Sequence, residues 1–162
     1  MLATMGRAVT FLVVALGVSY MLWLFRVEWP STQRLLPMFL VAVLVQCAHL
    51  IEEVWSEFYR AFPPVLGSEP WSERQFVIFN LLWLAVFLLT GLGIVRKWRP
   101  AYVVTLFLAI GGGIGNGLGH FALAIRASGY FPGAYTAPLV LATGIALLVR
   151  HFPTVETTAP AI

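Results

Sequence analysis

Long apolar stretches without charged side chains constrain this chain more than any other feature. A helix needs about 20 mostly apolar residues to cross the hydrocarbon core of a membrane. Five stretches come close to this length: Ala8–Phe25, Leu35–Ile51, Phe76–Val95, Ala101–Ile125 and the shorter Tyr135–Val149. Because backbone amides find no water inside hydrocarbon, such stretches must be helical. The sequence therefore predicts an all-α integral membrane bundle of about five transmembrane helices.

The overall composition excludes several other classes of protein. Hydrophobic residues make up 60% of the chain and charged residues only 10%, whereas soluble domains carry about 25% charged residues. A soluble globular enzyme and a disordered chain are therefore excluded. The ten basic residues form no stripe, so we expect membrane lipids, and no nucleic acid, as partners. A single cysteine, Cys47, rules out a disulfide framework.

The connections between the stretches are short and suggest one domain. We predict a single transmembrane helical domain over residues 1–152 and a short polar C-terminal tail over residues 153–162. Before the third span, Ser72-x-x-Gln75 predicts a capping box. His151 follows the last span and is predicted to be a surface residue.

The face that receives the N-terminus has fewer basic residues than the opposite face, so the positive-inside rule places the N-terminus outside.

Six polar residues interrupt the spans, and all fall towards one membrane face. They are His49, Glu52 and Glu53 at the end of the second span, Asn80 at the start of the third, and Asn116 and His120 near the end of the fourth. Spans two and four run in the same direction, and span three runs back. The six side chains are therefore predicted to lie at similar depth at one end of the bundle.

The spacing of these residues is typical of metal ligands. Glu52 and Glu53 follow His49 at i+3 and i+4, so both flank it on one helix face. Imidazole and carboxylate groups together bind zinc, iron and manganese. We predict that His49, His120 and one of the two glutamates, assigned as Glu53, hold a divalent metal ion, zinc or iron.

The other polar residues are candidate catalytic groups. Glu52 would act as a general base on a metal-bound water, whose pKa zinc lowers to about 7. Asn80 and Asn116 would orient a ligand or stabilise developing negative charge. The resulting hypothesis is a metal-dependent membrane enzyme that acts on a lipid or other amphipathic substrate near the interface, by hydrolysis or, with iron, by oxidation. A second class stays open: a non-catalytic protein whose cluster is a structural polar network or an ion- or proton-binding site.

At this point the ordered motifs carry a resemblance. His49-Leu-Ile-Glu52-Glu53, followed by Asn80 and then by Asn116-x-x-x-His120, resembles the HXXEE family of small bacterial integral membrane proteins. The resemblance covers the second to the fifth span and implies the bacterial inner membrane. The family is regarded as uncharacterised and is suspected to be enzymatic because of these motifs. With the N-terminus outside, the site would face the extracytoplasmic side.

Two stripes of glycine run along the fourth span at i,i+4 spacing: Gly111, Gly115 and Gly119, and Gly113 with Gly117. Small residues at this spacing allow membrane helices to approach closely. We therefore predict helix packing on these stripes, which would bring His120 towards His49. The same glycine-rich helix, residues 101–125, is a candidate surface for a homo-oligomer.

Overall fold

The chain folds into helices and connections, with no strand in the part that the structure describes. The computed structural model describes residues 2–25 and 30–152, with side chains from Thr10 onward. The helices within these ranges are α1 (Leu2–Leu24), α2 (Thr32–Trp55), α3 (Phe58–Val65), α4 (Glu73–Val95), α5 (Arg99–Arg126) and α6 (Ala137–Arg150). The predicted all-α helical bundle is confirmed. The predicted tail, residues 153–162, lies outside the described residues.

Three of these helices, α2, α4 and α5, are long and apolar enough to cross a membrane. Helix α6 and the described part of α1, Thr10–Leu24, are apolar but shorter. Large hydrophobic side chains remain exposed along the bundle, as expected where hydrocarbon replaces water as the solvent. These findings support a membrane protein, while the count of five spans and the membrane orientation stay predictions.

The connection between α2 and α4 contains the short helix α3, which the sequence pattern did not indicate. Helix α2 continues four residues beyond the predicted end at Ile51 and stops at Trp55, so the glutamates of the motif are helical. Ser72 caps α4 by accepting a hydrogen bond from the Gln75 backbone N–H, and the Gln75 side chain returns to the cap. The predicted capping box is confirmed.

Helix α5 lies among the other helices and is wound differently at its centre. Residues Leu108–Gly115 form a π-helical segment between two α-helical halves, a rare geometry that is frequent at functional sites. A Cβ atom added at Gly144 of α6 would lie 2.6 Å from the Cα atom of Gly113. One added at Gly117 would lie 2.8 Å from the Cβ atom of Leu141. The predicted packing is thus confirmed for Gly113 and Gly117, which lie against α6, whereas a Cβ atom at Gly119 would meet nothing within 4 Å. A homo-oligomer stays a prediction.

The prediction of a surface position for His151 is wrong. Its side chain is only 2% exposed, and Nε2 lies 2.9 Å from the Thr105 hydroxyl oxygen of α5. The first half of α5 packs against the end of α6, so the residue after α6 is covered. A polar ring can be buried there because the threonine hydroxyl supplies its hydrogen-bond partner.

Candidate metal centre

Three predicted ligands meet at the end of the bundle where α2 and α5 finish. His49 Nε2 lies 3.2 Å from His120 Nε2 and 3.5 Å from Glu53 Oε1. His120 Nε2 lies 3.2 Å from the same Glu53 oxygen. All three side chains are buried. One ligand atom from each residue therefore points at a common centre between two helices.

The separations between these atoms match those between the ligand atoms of a tetrahedrally coordinated metal ion. Zinc binds histidine nitrogen and carboxylate oxygen at about 2.0–2.1 Å, so two ligand atoms in a tetrahedron lie about 3.3 Å apart. The observed separations of 3.2, 3.2 and 3.5 Å lie on either side of this value. Two histidines and one glutamate form a set found in catalytic zinc sites, where the fourth position stays open for water or substrate.

Helix geometry explains how α2 supplies two of the three groups. His49 and Glu53 are separated by four residues, so their side chains stack on the same face. Helix α5 supplies His120, five residues after the π-helical segment ends at Gly115. Aromatic rings close the space around this histidine: Phe58 of α3 lies 5.1 Å from its ring centre to centre. Helix α3 therefore covers the cluster.

The turn before α6 packs directly on the His120 ring. Gly133 has a φ of 87°, a conformation that glycine adopts readily and other residues rarely do. A Cβ atom at this position would lie 2.6 Å from His120 Nδ1. Glycine is therefore required at position 133 both for its backbone conformation and for the space that the His120 ring occupies. The backbone of Gly133 limits the movement of this ring. The Nδ1 atom itself is buried and has no hydrogen-bond partner among the residues that the structure describes.

The second ring nitrogen of His49 is held by a chain of hydrogen bonds. Its Nδ1 atom lies 2.6 Å from the Thr136 hydroxyl oxygen, which donates to Glu52 Oε2 at 2.5 Å. An ionised carboxylate can only accept hydrogen bonds, so the threonine proton points at Glu52 and the threonine oxygen accepts from the Nδ1–H of His49. The Nε2 atom therefore keeps its lone pair free to bind a metal ion.

Glu52 ties α2 to the turn before α6. Its carboxylate accepts from the backbone N–H groups of Tyr135 and Thr136, from the Thr136 hydroxyl and from the Tyr130 hydroxyl, at 2.5–3.0 Å. Burial raises the pKa of Tyr130, and its hydrogen bond to Glu52 adds to the effect. The carboxylate thus contacts this turn, and its role as a general base stays a prediction. Nothing in the sequence pattern indicated Thr136, Tyr130 or Gly133, which lie on a turn without periodicity.

A cavity of about 730 Å³ lies against the cluster. Glu53 and His120 form part of its wall, together with Asn80 and Asn116, and Glu52 does not. Asn80 also donates to the Phe76 carbonyl oxygen at 2.9 Å. The structure thus brings both asparagines to the same space as two of the predicted ligands. Their catalytic roles stay predictions.

Comparison with known proteins yields one match. A family model described as a protein of unknown function with HXXEE motif matches residues 40–147. This range contains the His49–Glu53 motif, both asparagines and His120. No curated protein matches the chain, and no solved structure matches it either.

Proposed function

The chain belongs to the HXXEE family, and we propose that it is a metal-dependent membrane enzyme that hydrolyses a lipid-like substrate. One observation carries this proposal: the ligand atoms of His49, Glu53 and His120 converge beside a large, mostly apolar cavity. A buried group of two imidazoles and one carboxylate is costly without a bound ion or a complete hydrogen-bond network.

The ion that we propose is zinc. The separations of 3.2–3.5 Å fit a tetrahedral set with one open position. A bound zinc ion would supply a water of lowered pKa for hydrolysis at neutral pH. Iron also binds two histidines and one carboxylate, and its presence would point to oxidation instead.

The contacts suggest a revised division of labour between the two glutamates. Glu53 lines the cavity and would bind the ion. Glu52 would act as a positioning residue, because it holds Thr136 and, through it, His49. Asn80 and Asn116 share the cavity wall, where their carboxamides would orient the polar part of a substrate.

Metal content tests the proposal directly. The full chain would be purified in mild detergent without a histidine tag, and its metals measured by elemental mass spectrometry. We expect about one equivalent of zinc in the wild type and its loss in Glu53→Gln and in the His49→Ala/His120→Ala double variant. His151→Ala is the matched control, because it also removes a buried histidine, but one that follows α6 and contacts Thr105 in the first half of α5, away from the cluster.

Hydrolysis is tested on the same samples with the p-nitrophenyl ester of a single-chain fatty acid. We expect zinc-dependent release of nitrophenol by the wild type and by His151→Ala, and none by Glu53→Gln. Bound zinc without hydrolysis would refute the hydrolase. A wild type that binds no metal, together with a lower melting temperature for Glu53→Gln, would favour the structural polar network. Bound iron in place of zinc would indicate that the enzyme oxidises its substrate instead of hydrolysing it.

A further inference from the structure

The cavity extends from the metal-binding cluster along α4, towards the other end of the bundle. Phe58 contacts both the His120 ring and Phe76, at centroid distances of 5.1 and 5.9 Å, so the cluster lies near the first turn of α4. The wall continues along α4 as far as Phe87. Eleven residues of helix correspond to about 16 Å. A space of this depth suits an extended chain more than a compact solute.

The lower part of the wall is apolar where α4 lines it. Beyond Asn80, this helix contributes only Trp83, Leu84 and Phe87. Phe107 of α5 stacks on Trp83, with ring centroids 4.7 Å apart, and also borders the cavity. Filling such a space with hydrocarbon is favourable because it removes apolar surface from water. Along α4, the polar side chains of the wall, Gln75 and Asn80, therefore lie nearer the cluster than the apolar ones.

The charged side chains of the wall have one sign. Glu53 lies at the cluster, and the exposed Glu69 lies in the connection between α3 and α4. No lysine or arginine lines the cavity among the described residues. Binding sites for phosphate and carboxylate groups generally contain arginine or lysine. A metal ion would offset the charge of Glu53 but not that of Glu69.

From these observations we infer that the substrate is a single-chain amphiphile without an anionic head group. Its hydrocarbon chain runs from the cluster down to Phe87, and its neutral or cationic head lies towards Glu69. The bond next to the head is then placed beside the ligand atoms of Glu53 and His120. This inference rests on the proposed function, since it names the substrate class of the same site.

Tryptophan fluorescence tests where the hydrocarbon chain lies. The probe is a monoacylglycerol with bromine atoms near the end of its chain, because bromine quenches a tryptophan that it contacts. We expect saturable quenching of the full chain in detergent, with and without zinc, and its loss in Trp83→Phe. Trp98→Phe is the matched control, since Trp98 is half-exposed and does not line the cavity. Absence of saturable quenching, or quenching unchanged by Trp83→Phe, would overturn the inference.

The head group and the number of chains are tested by competition against the same probe. A single-chain phosphate monoester should compete roughly tenfold or more weakly than the neutral lipid, because like charges oppose its binding. A diacylglycerol should also compete weakly. If the phosphate monoester competes as strongly as the neutral lipid, the inference that the head group is not anionic is wrong. If the diacylglycerol competes as strongly, the inference of a single hydrocarbon chain is wrong.

A blocking variant separates this inference from the proposed function. A Cβ atom at Gly119 meets nothing within 4 Å, and Gly119 lines the cavity, so Gly119→Leu fills that space without a clash at its first carbon. We expect it to keep its zinc and to lose probe binding. Gly129→Leu, at an equally open position away from the cavity, should keep both. Probe binding that survives Gly119→Leu contradicts the inference, whereas a wild type that binds the probe but takes up no zinc when zinc is supplied contradicts only the proposed enzyme.

Discussion

Replacing Thr136 by valine removes the hydroxyl that joins Glu52 to His49. Valine has nearly the same shape, so packing changes little. The His49 Nδ1–H then loses its acceptor at 2.6 Å, although the ring stays fully buried. Glu52 keeps its bonds to Tyr130 and to two backbone N–H groups. The variant therefore isolates the support that Thr136 gives to one metal ligand.

The expected loss of metal affinity follows from this single bond. Removing the hydrogen-bond partner of a ligating histidine costs about 10–100-fold in metal affinity, which corresponds to about 1.4–2.7 kcal/mol. An unpaired buried donor costs about 1–3 kcal/mol, which agrees. Without an acceptor at Nδ1, the proton also shifts more easily to Nε2, where it blocks the metal ion.

Zinc affinity measured by competition with a chromogenic chelator checks this prediction. We expect Thr136→Val to bind zinc 10–100-fold more weakly and Thr136→Ser to recover most of the affinity. Thr143→Val is the control, because Thr143 lies on α6, just after the turn that carries Thr136, and its hydroxyl donates to the Leu139 carbonyl oxygen. A Thr136→Val protein that is folded and binds zinc as tightly as the wild type would refute the proposed role of the hydrogen-bond chain.

Two further predictions concern the turn before α6. Gly133→Ala should displace the His120 ring and lower both zinc content and melting temperature, since the added Cβ atom would lie 2.6 Å from Nδ1 and the φ of 87° is strained; unchanged zinc content would contradict the observed contact. Tyr130 has a pKa above its ordinary value of 10.0 in the folded chain, so the unfolded chain loses this proton first as pH rises. The contribution of Tyr130 to stability should therefore be lost above about pH 10. The melting temperature of Tyr130→Phe should then depend less on alkaline pH than that of the wild type. An equal dependence of the two melting temperatures on pH would contradict this prediction.

Local sequence pattern was sufficient for the helices and for the end of the bundle at which the site lies. Hydrophobicity over a span and the positions of polar residues within it are local properties, and the alternating direction of successive spans places His49, Asn80 and His120 at one face. The short helix α3 and the burial of His151 were not predictable in this way. Both depend on neighbours distant in sequence, such as Thr105.

The different contacts of the two glutamates could not be predicted from the sequence alone. Glu52 and Glu53 lie at i+3 and i+4 from His49, so helical periodicity alone treats them alike. The packing of α5 on one side and of the turn at Thr136 on the other turns Glu53 towards His120 and Glu52 towards backbone N–H groups. The sequence by itself determined the long apolar helices, the end of the bundle at which the cluster lies and the residue types of that cluster, because these follow from local hydrophobicity and helix period. Only the tertiary structure decided which carboxylate meets the second histidine, because that contact joins residues of different helices.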